Sequence, residues 1–215
     1  MCNWGIMTKD TKRGCALVSA LKSDVIVDLG KEYVELGIDS LIESNVLESI
    51  PFVSTTVGLY KAASSVRDQL FTEKVIRFLT HFSDLSDAER INMTERLNED
   101  DKFAGKAGAR LIEIIERMES ENKPEVAAEF LKAFAREEIE FNVLRRLLVA
   151  LERIPSFDIG ELAAFTAITP DQPVEMDEAF LDGLVNAGLG KNNGAWKSVI
   201  VPTELCMTFV NAGKL

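Results

Sequence analysis

A mainly α-helical fold is what this sequence predicts: a multi-helix bundle followed by a small C-terminal module that mixes helix with strand. Three observations carry the prediction. Apolar residues recur at three- and four-residue spacing through most of the chain, helix-start signals punctuate it, and β character gathers only around Trp196, Val199 and Val201.

Residues 1–22 hold Trp4, Gly5, Gly14 and the cluster Lys9, Lys12 and Arg13 without sustained periodicity, which predicts a loose N-terminal arm. The bundle is expected over residues 23–155. From Asp24 to about Ser49, Ile26, Leu29, Tyr33, Leu36 and Leu41 predict one or two helices, weakened locally by Gly30 and Gly37. Ile50-Pro51 breaks the chain, and Ser54 to Leu70 predicts a helix through Val57, Tyr60, Ala63 and Val66, with Gly58 and Ala62 allowing close packing. Thr72 is placed as the cap of a segment burying Val75, Ile76, Leu79 and Phe82, and Ser86 with Glu89 forms a capping box that opens a helix at Asp87. After a polar connector, Asn98 to Lys102, a strongly periodic helix carries Ala107, Leu111, Ile114, Ile115 and Met118. Asn122, Pro124 and Glu125 signal the next start, ahead of Val126, Ala127, Phe130 and Phe134. The last bundle helix runs from about Phe141 to Ile154 and stops at Pro155.

Residues 156–215 have a different pattern. Asp158 with Glu161 predicts a short helix to about Ala167, and Asp177 to Ala187 predicts another, closed by Gly188 as a left-handed cap with Leu189 behind it. Lys191 to Gly194 is expected as a turn before the β segment, and Pro202-Thr203 opens a last helix. Leu181, Leu184, Val185, Gly188, Leu189, Thr203, Glu204 and Leu205 lie as they would at the end of a winged-helix domain, which this region resembles. The resemblance implies duplex DNA as a partner. Its exposed positions oppose that: Lys191, Lys197 and Lys214 face eight carboxylates, a balance of −5, and the helix that would enter the major groove begins with Asp177, Glu178 and Asp182. The helical part, through Ile50-Pro51-Phe52-Val53, Leu59-Tyr60-Lys61-Ala62 and Leu70-Phe71-Thr72-Glu73-Lys74, is similar to uncharacterised bacterial helical proteins; this implies a bacterial source and no activity.

Composition narrows the function classes. With 47% apolar and 27% charged residues in 215, the chain buries a full core without staples. A net charge of −11 repels phosphate backbones unless the cations gather on one face. The longest uncharged interior run, Ser49 to Tyr60, is 12 residues, against the roughly 20 of a spanning helix. Cys2, Cys15 and Cys206 lack metal or redox spacing, and the first residues lack a secretory pattern, so the expected compartment is the reducing cytoplasm.

The sequence identifies no catalytic, cofactor-binding or metal-binding residues. His81, the single histidine, is a general base by type, but no nucleophile or carboxylate is paired with it by spacing, and a helix-surface position explains it. The acidic groups Glu137, Glu138, Glu140 and Glu99, Asp100, Asp101 are oxygen donors for a divalent cation or, more simply, solvated faces. Gly105 and Gly108 lack the Gly-Lys-Ser/Thr ending of a phosphate loop. Arg145 and Arg146, with Arg153 further along, form a basic strip that either docks an acidic partner or an anion, or pairs with the chain's own carboxylates. The expected function is therefore a non-enzymatic helical interaction protein, an adaptor or regulator with a protein partner. Two alternatives stand beside it: a conditional membrane effector inserting residues 49–70, and, last, a DNA-binding regulator.

Overall fold

The structure, a computed structural model, describes residues 9–43, 66–100, 107–120, 122–168, 176–194 and 200–215. Within them lie ten α-helices and one two-stranded antiparallel sheet. The expected Ser54–Tyr60 part of a helix, the apolar run 49–60 and the Gly58/Ala62 pair fall outside the described residues.

The expected loose arm is corrected from residue 9 onwards. Helix α1 (Lys9–Leu21) buries Leu17, Ala20 and Leu21 completely or nearly so. Its charged first turn hides the periodicity from a sequence window, but Leu17 and Leu21 stand one turn apart and share a face. Helix α2 (Val25–Glu43) follows with a kink at Gly37, whose φ of 72° and ψ of 174° interrupt the helix. Ile26, Leu29 and Leu41 reach the core, whereas Leu36, expected there, is exposed immediately before the kink.

Helix α3 (Val66–Thr80) continues through Thr72, which is buried inside it rather than standing at its start. Helix α4 (Asp87–Asp100) begins as predicted: Ser86 N donates to Glu89 Oε2 at 2.8 Å and Glu89 N donates to Ser86 Oγ at 3.3 Å. Helix α5 (Ala107–Arg117) is amphipathic, and α6 (Lys123–Ala135) is its opposite, buried over nearly its whole length between α3, α4 and α7 (Phe141–Arg153). A helix buried all round must satisfy its charges internally. Lys123 does so by donating to Ile154 O at 2.5 Å and Glu119 Oε2 at 2.7 Å, which ties the end of α7 to the start of α6.

Beyond Pro155 the expected helix start at Asp158 is corrected: Ser156–Glu161 is a 3-10 turn containing both Asp158 and Glu161, and it leads into the short α8 (Leu162–Thr166). Helix α9 (Glu178–Ala187) has Asp177 as its N-cap, accepting from Phe180 N at 3.0 Å, and Gly188 at φ 78° as its left-handed end. Lys191 and Asn192, expected in a turn, belong instead to β1 (Gly190–Asn192), which pairs with β2 (Ile200–Pro202) so that Lys191 faces Val201. Thr203 caps α10 (Glu204–Gly213) and its hydroxyl also donates to Gly188 O at 2.9 Å, fastening the start of α10 to the corner after α9.

The core does not stop at Pro155. Phe209 of α10 meets Phe130 of α6 edge-on with ring centroids 4.8 Å apart, and buried residues from Leu17 to Ala212 form one contiguous cluster.

Candidate functional site

Helix α7 places the basic strip. Leu144, Leu147, Leu148 and Leu151 turn inward, which leaves Asn142, Arg145, Arg146, Val149 and Arg153 on the outer faces. Opposite them stand the end of α9, β1 and the start of α10, and between the two lies an open groove of about 1010 Å³. Its charged walls are Arg145, Arg146, Arg153 and Lys191 against the single carboxylate of Glu204. A chain with net charge −11 thus concentrates four cations on one concave surface.

Both open readings of the strip meet the geometry here. Arg153 is used internally, donating from Nη1 to Asn186 O at 3.2 Å, where a cation complements the C-terminal carbonyls of α9. Arg145 lies over the ring of Phe141 at 6.0 Å, and among the described residues neither it, Arg146 nor Lys191 makes an ion pair. The local reason is in the sequence. Positions three and four residues from Arg145 and Arg146 are Phe141, Asn142, Val143, Leu148, Val149 and Ala150, none of them acidic.

On the other side of α7 is a cavity of about 240 Å³ with an apolar floor of Leu111, Leu131, Leu144 and Leu148. Arg110, Arg117 and Arg145 stand at its mouth beside Glu113 and Glu152. Arg117 holds both of those carboxylates, Glu113 at 2.5 Å and Glu152 at 3.7 Å. Arg145 and Val149 line both the cavity and the groove.

No family model, curated protein or solved structure matches this chain.

The other sequence candidates lie elsewhere. His81 is half-buried at the end of α3 rather than on an open helix surface, with Nδ1 3.4 Å from Glu129 Oε1 and Nε2 3.8 Å from Glu125 Oε2. These carboxylates sit one turn apart on α6, so their pairing with His81 needed the packing of two helices to appear. Glu129 is the centre of a charged cluster that also takes Lys132 at 2.8 Å and Lys214 at 2.5 Å, while Lys132 and Arg136 hold Asp84 at 2.8 and 3.2 Å. Burial alone pushes the Glu129 carboxyl upward; hydrogen bonds from His81, Lys132 and Lys214 overcome it and hold the group far below the usual carboxylate range. The cluster joins α3, α6 and the C-terminal end, and neither cavity is lined by His81.

Cys206 is fully buried, and burial pushes its thiol up to about 11, away from nucleophilic use. Cys15 is disulfide-bonded, which removes the cysteine argument for a reducing compartment. Glu137, Glu138 and Glu140 are exposed, Glu137 at a φ of 62° and 3.8 Å from Arg96. Among the described residues no group of three or more His, Cys, Asp or Glu is arranged to hold a metal ion; Asp101 and the side chains of Glu99 and Asp100 fall outside them. No helix among the described residues is long and apolar enough to cross a membrane.

Sequence reasoning missed Lys191 and Val149. Val149 was one more apolar residue on an amphipathic helix, and Lys191 was a turn residue far along the chain; their place beside the arginines is set by the docking of α9, β1 and α10 on α7.

Proposed function

We propose that this protein is a non-enzymatic interaction protein, an adaptor or regulator, that docks an acidic partner protein on the basic face of α7. The observation that carries the reading is that Arg145, Arg146 and Lys191 make no ion pair with the described carboxylates of a strongly acidic chain, on the wall of an open groove. Exposed cations of this kind contribute little to the fold, and their main use is to steer and orient a partner of opposite charge. The C-terminal helix, hairpin and helix serve in this reading as a winged-helix-like module whose contribution is the second wall of the groove. Asp177, Glu178 and Asp182 at the head of α9 disfavour duplex DNA as the occupant.

The test is mild, nuclease-treated purification of the tagged protein from its native host, beside the R145E/R146E double variant. A stoichiometric protein is expected with the first and lost from the second, with affinity falling about tenfold or more and weakening with salt. Equal recovery of the same partner by both forms, or recovery of the unaltered protein alone at low salt, overturns the reading.

A further inference from the structure

The groove and the cavity are two sides of one helix. Arg145 and Val149 line both, so a segment lying across α7 touches the basic wall and the cavity mouth together. Val149 is 44% exposed on that crest, an apolar side chain without cover among the described residues. Resting on the docking reading above, we infer that the partner's contact segment is an acidic stretch carrying one bulky apolar side chain, which seats in the cavity between α4, α5, α6 and α7.

Size, polarity and charge argue for this occupant together. An engineered cavity of about 150 Å³ accommodates benzene, so a cavity of about 240 Å³ has room for a Phe or Leu side chain. Its floor is leucine, which offers such a side chain contacts and offers a polar one none. At the mouth the two carboxylates are already held by Arg117, while Arg145 holds none. An approaching acidic chain therefore meets Arg145 at the rim and Arg146 and Lys191 on the groove wall, cations that no described carboxylate pairs, and a basic chain is repelled. Along α7, Arg146, Val149 and Arg153 mark one stripe at three- and four-residue spacing, about 10 Å long. That length matches two turns of a helix laid against it, the usual way an amphipathic segment uses a groove.

The probe is a set of fluorescein-labelled peptides of about fifteen residues, roughly two turns of contact plus flanks, followed by anisotropy on the full chain at low salt. One peptide is rich in Glu and Asp with a central Phe, the second has Ser in place of the Phe, and the third keeps the Phe with Gln in place of the acids. The first is expected to bind at least about tenfold more tightly than either of the others. Ile114→Phe, which fills the cavity from its half-buried wall, and Val149→Ser, on the exposed crest, are each expected to remove the advantage of Phe over Ser; circular dichroism checks that both variants are folded. Equal binding of the Phe and Ser peptides overturns the inference and leaves the docking reading standing. Failure of every acidic peptide overturns both. Saturable binding of decanoate, with no preference between the Phe and Ser peptides, assigns the cavity to a small amphiphile and overturns the inference as well.

Discussion

Glu129 is met by three cationic or protonatable side chains from three parts of the chain: His81 after α3 and Lys132 on α6 itself, both at Oε1, and Lys214 near the C-terminus, paired with Oε2. Removing its charge leaves Lys132, only 4% exposed, with half its partners, a loss of the kind that costs about 3 kcal/mol. Glu129→Gln is expected to lower stability by that amount at neutral pH, measured as the shift in urea midpoint. The pH dependence follows from the depressed carboxyl. The unfolded chain binds the proton more readily than the folded one, so this contribution is complete above the ordinary glutamate value of 4.5 and is lost as pH falls below it. The variant should accordingly lose less stability than the natural protein when both are titrated from neutral into acid; equal acid sensitivity contradicts the role given to Glu129. None of this was legible in advance, because Glu125 and Glu129 look like solvent-facing residues until α6 is known to be enclosed. The basic strip was legible, since the absence of acidic residues three or four positions from Arg145 and Arg146 is a local fact.

Two glycines on different helices permit the crossing of α1 over α5. A Cβ on Gly14 would stand 2.2 Å from Ala109 N, and one on Gly108 would stand 2.0 Å from Gly14 O, so the backbones touch where side chains are missing. Gly108→Ala must push α1 away from α5 and is expected to cost about 2 kcal/mol or more by urea denaturation. Gly160→Ala, where the added carbon meets nothing within 4 Å, serves as the control and should change stability by less than about 1 kcal/mol. In the sequence Gly108 is only a glycine without a phosphate-loop ending, and its use depends on which helix lies against it. Element ends were legible where a side chain acts on its own neighbours: Ser86 with Glu89, Asp177 with Phe180, Gly188 and Pro155. They were misplaced where tertiary burial outweighs the local signal, as at Thr72, whose capping chemistry is overridden by continuation of α3.

Across the whole molecule, one core spans the boundary drawn after residue 155. Phe130 packs on Phe209, Lys214 reaches Glu129, and Ser156 N donates to Glu119 Oε1 at 2.8 Å, so the C-terminal elements complete the bundle. A chain ended at Pro155 strips the cover from Phe130 and leaves Glu129 short of a cation. It is expected to be poorly soluble and to lack a cooperative thermal transition by circular dichroism, whereas a stable, cooperatively melting fragment would establish the boundary as an independent domain. The sequence by itself determined that the described chain is mainly helical, where most of its helices begin and end, that its charge is strongly acidic and that α7 carries a strip of arginines. Those properties depend on residues within a turn or two of each other. Only the tertiary structure decided that the first helix belongs to the core, that the Glu129 carboxylate meets His81 and Lys214 from distant parts of the chain, and that Lys191 and an apolar cavity flank the strip. These depend on which faces meet, and the hydrophobic burial that drives helices together is non-directional, so local periodicity marks a face as apolar without naming the face that will cover it.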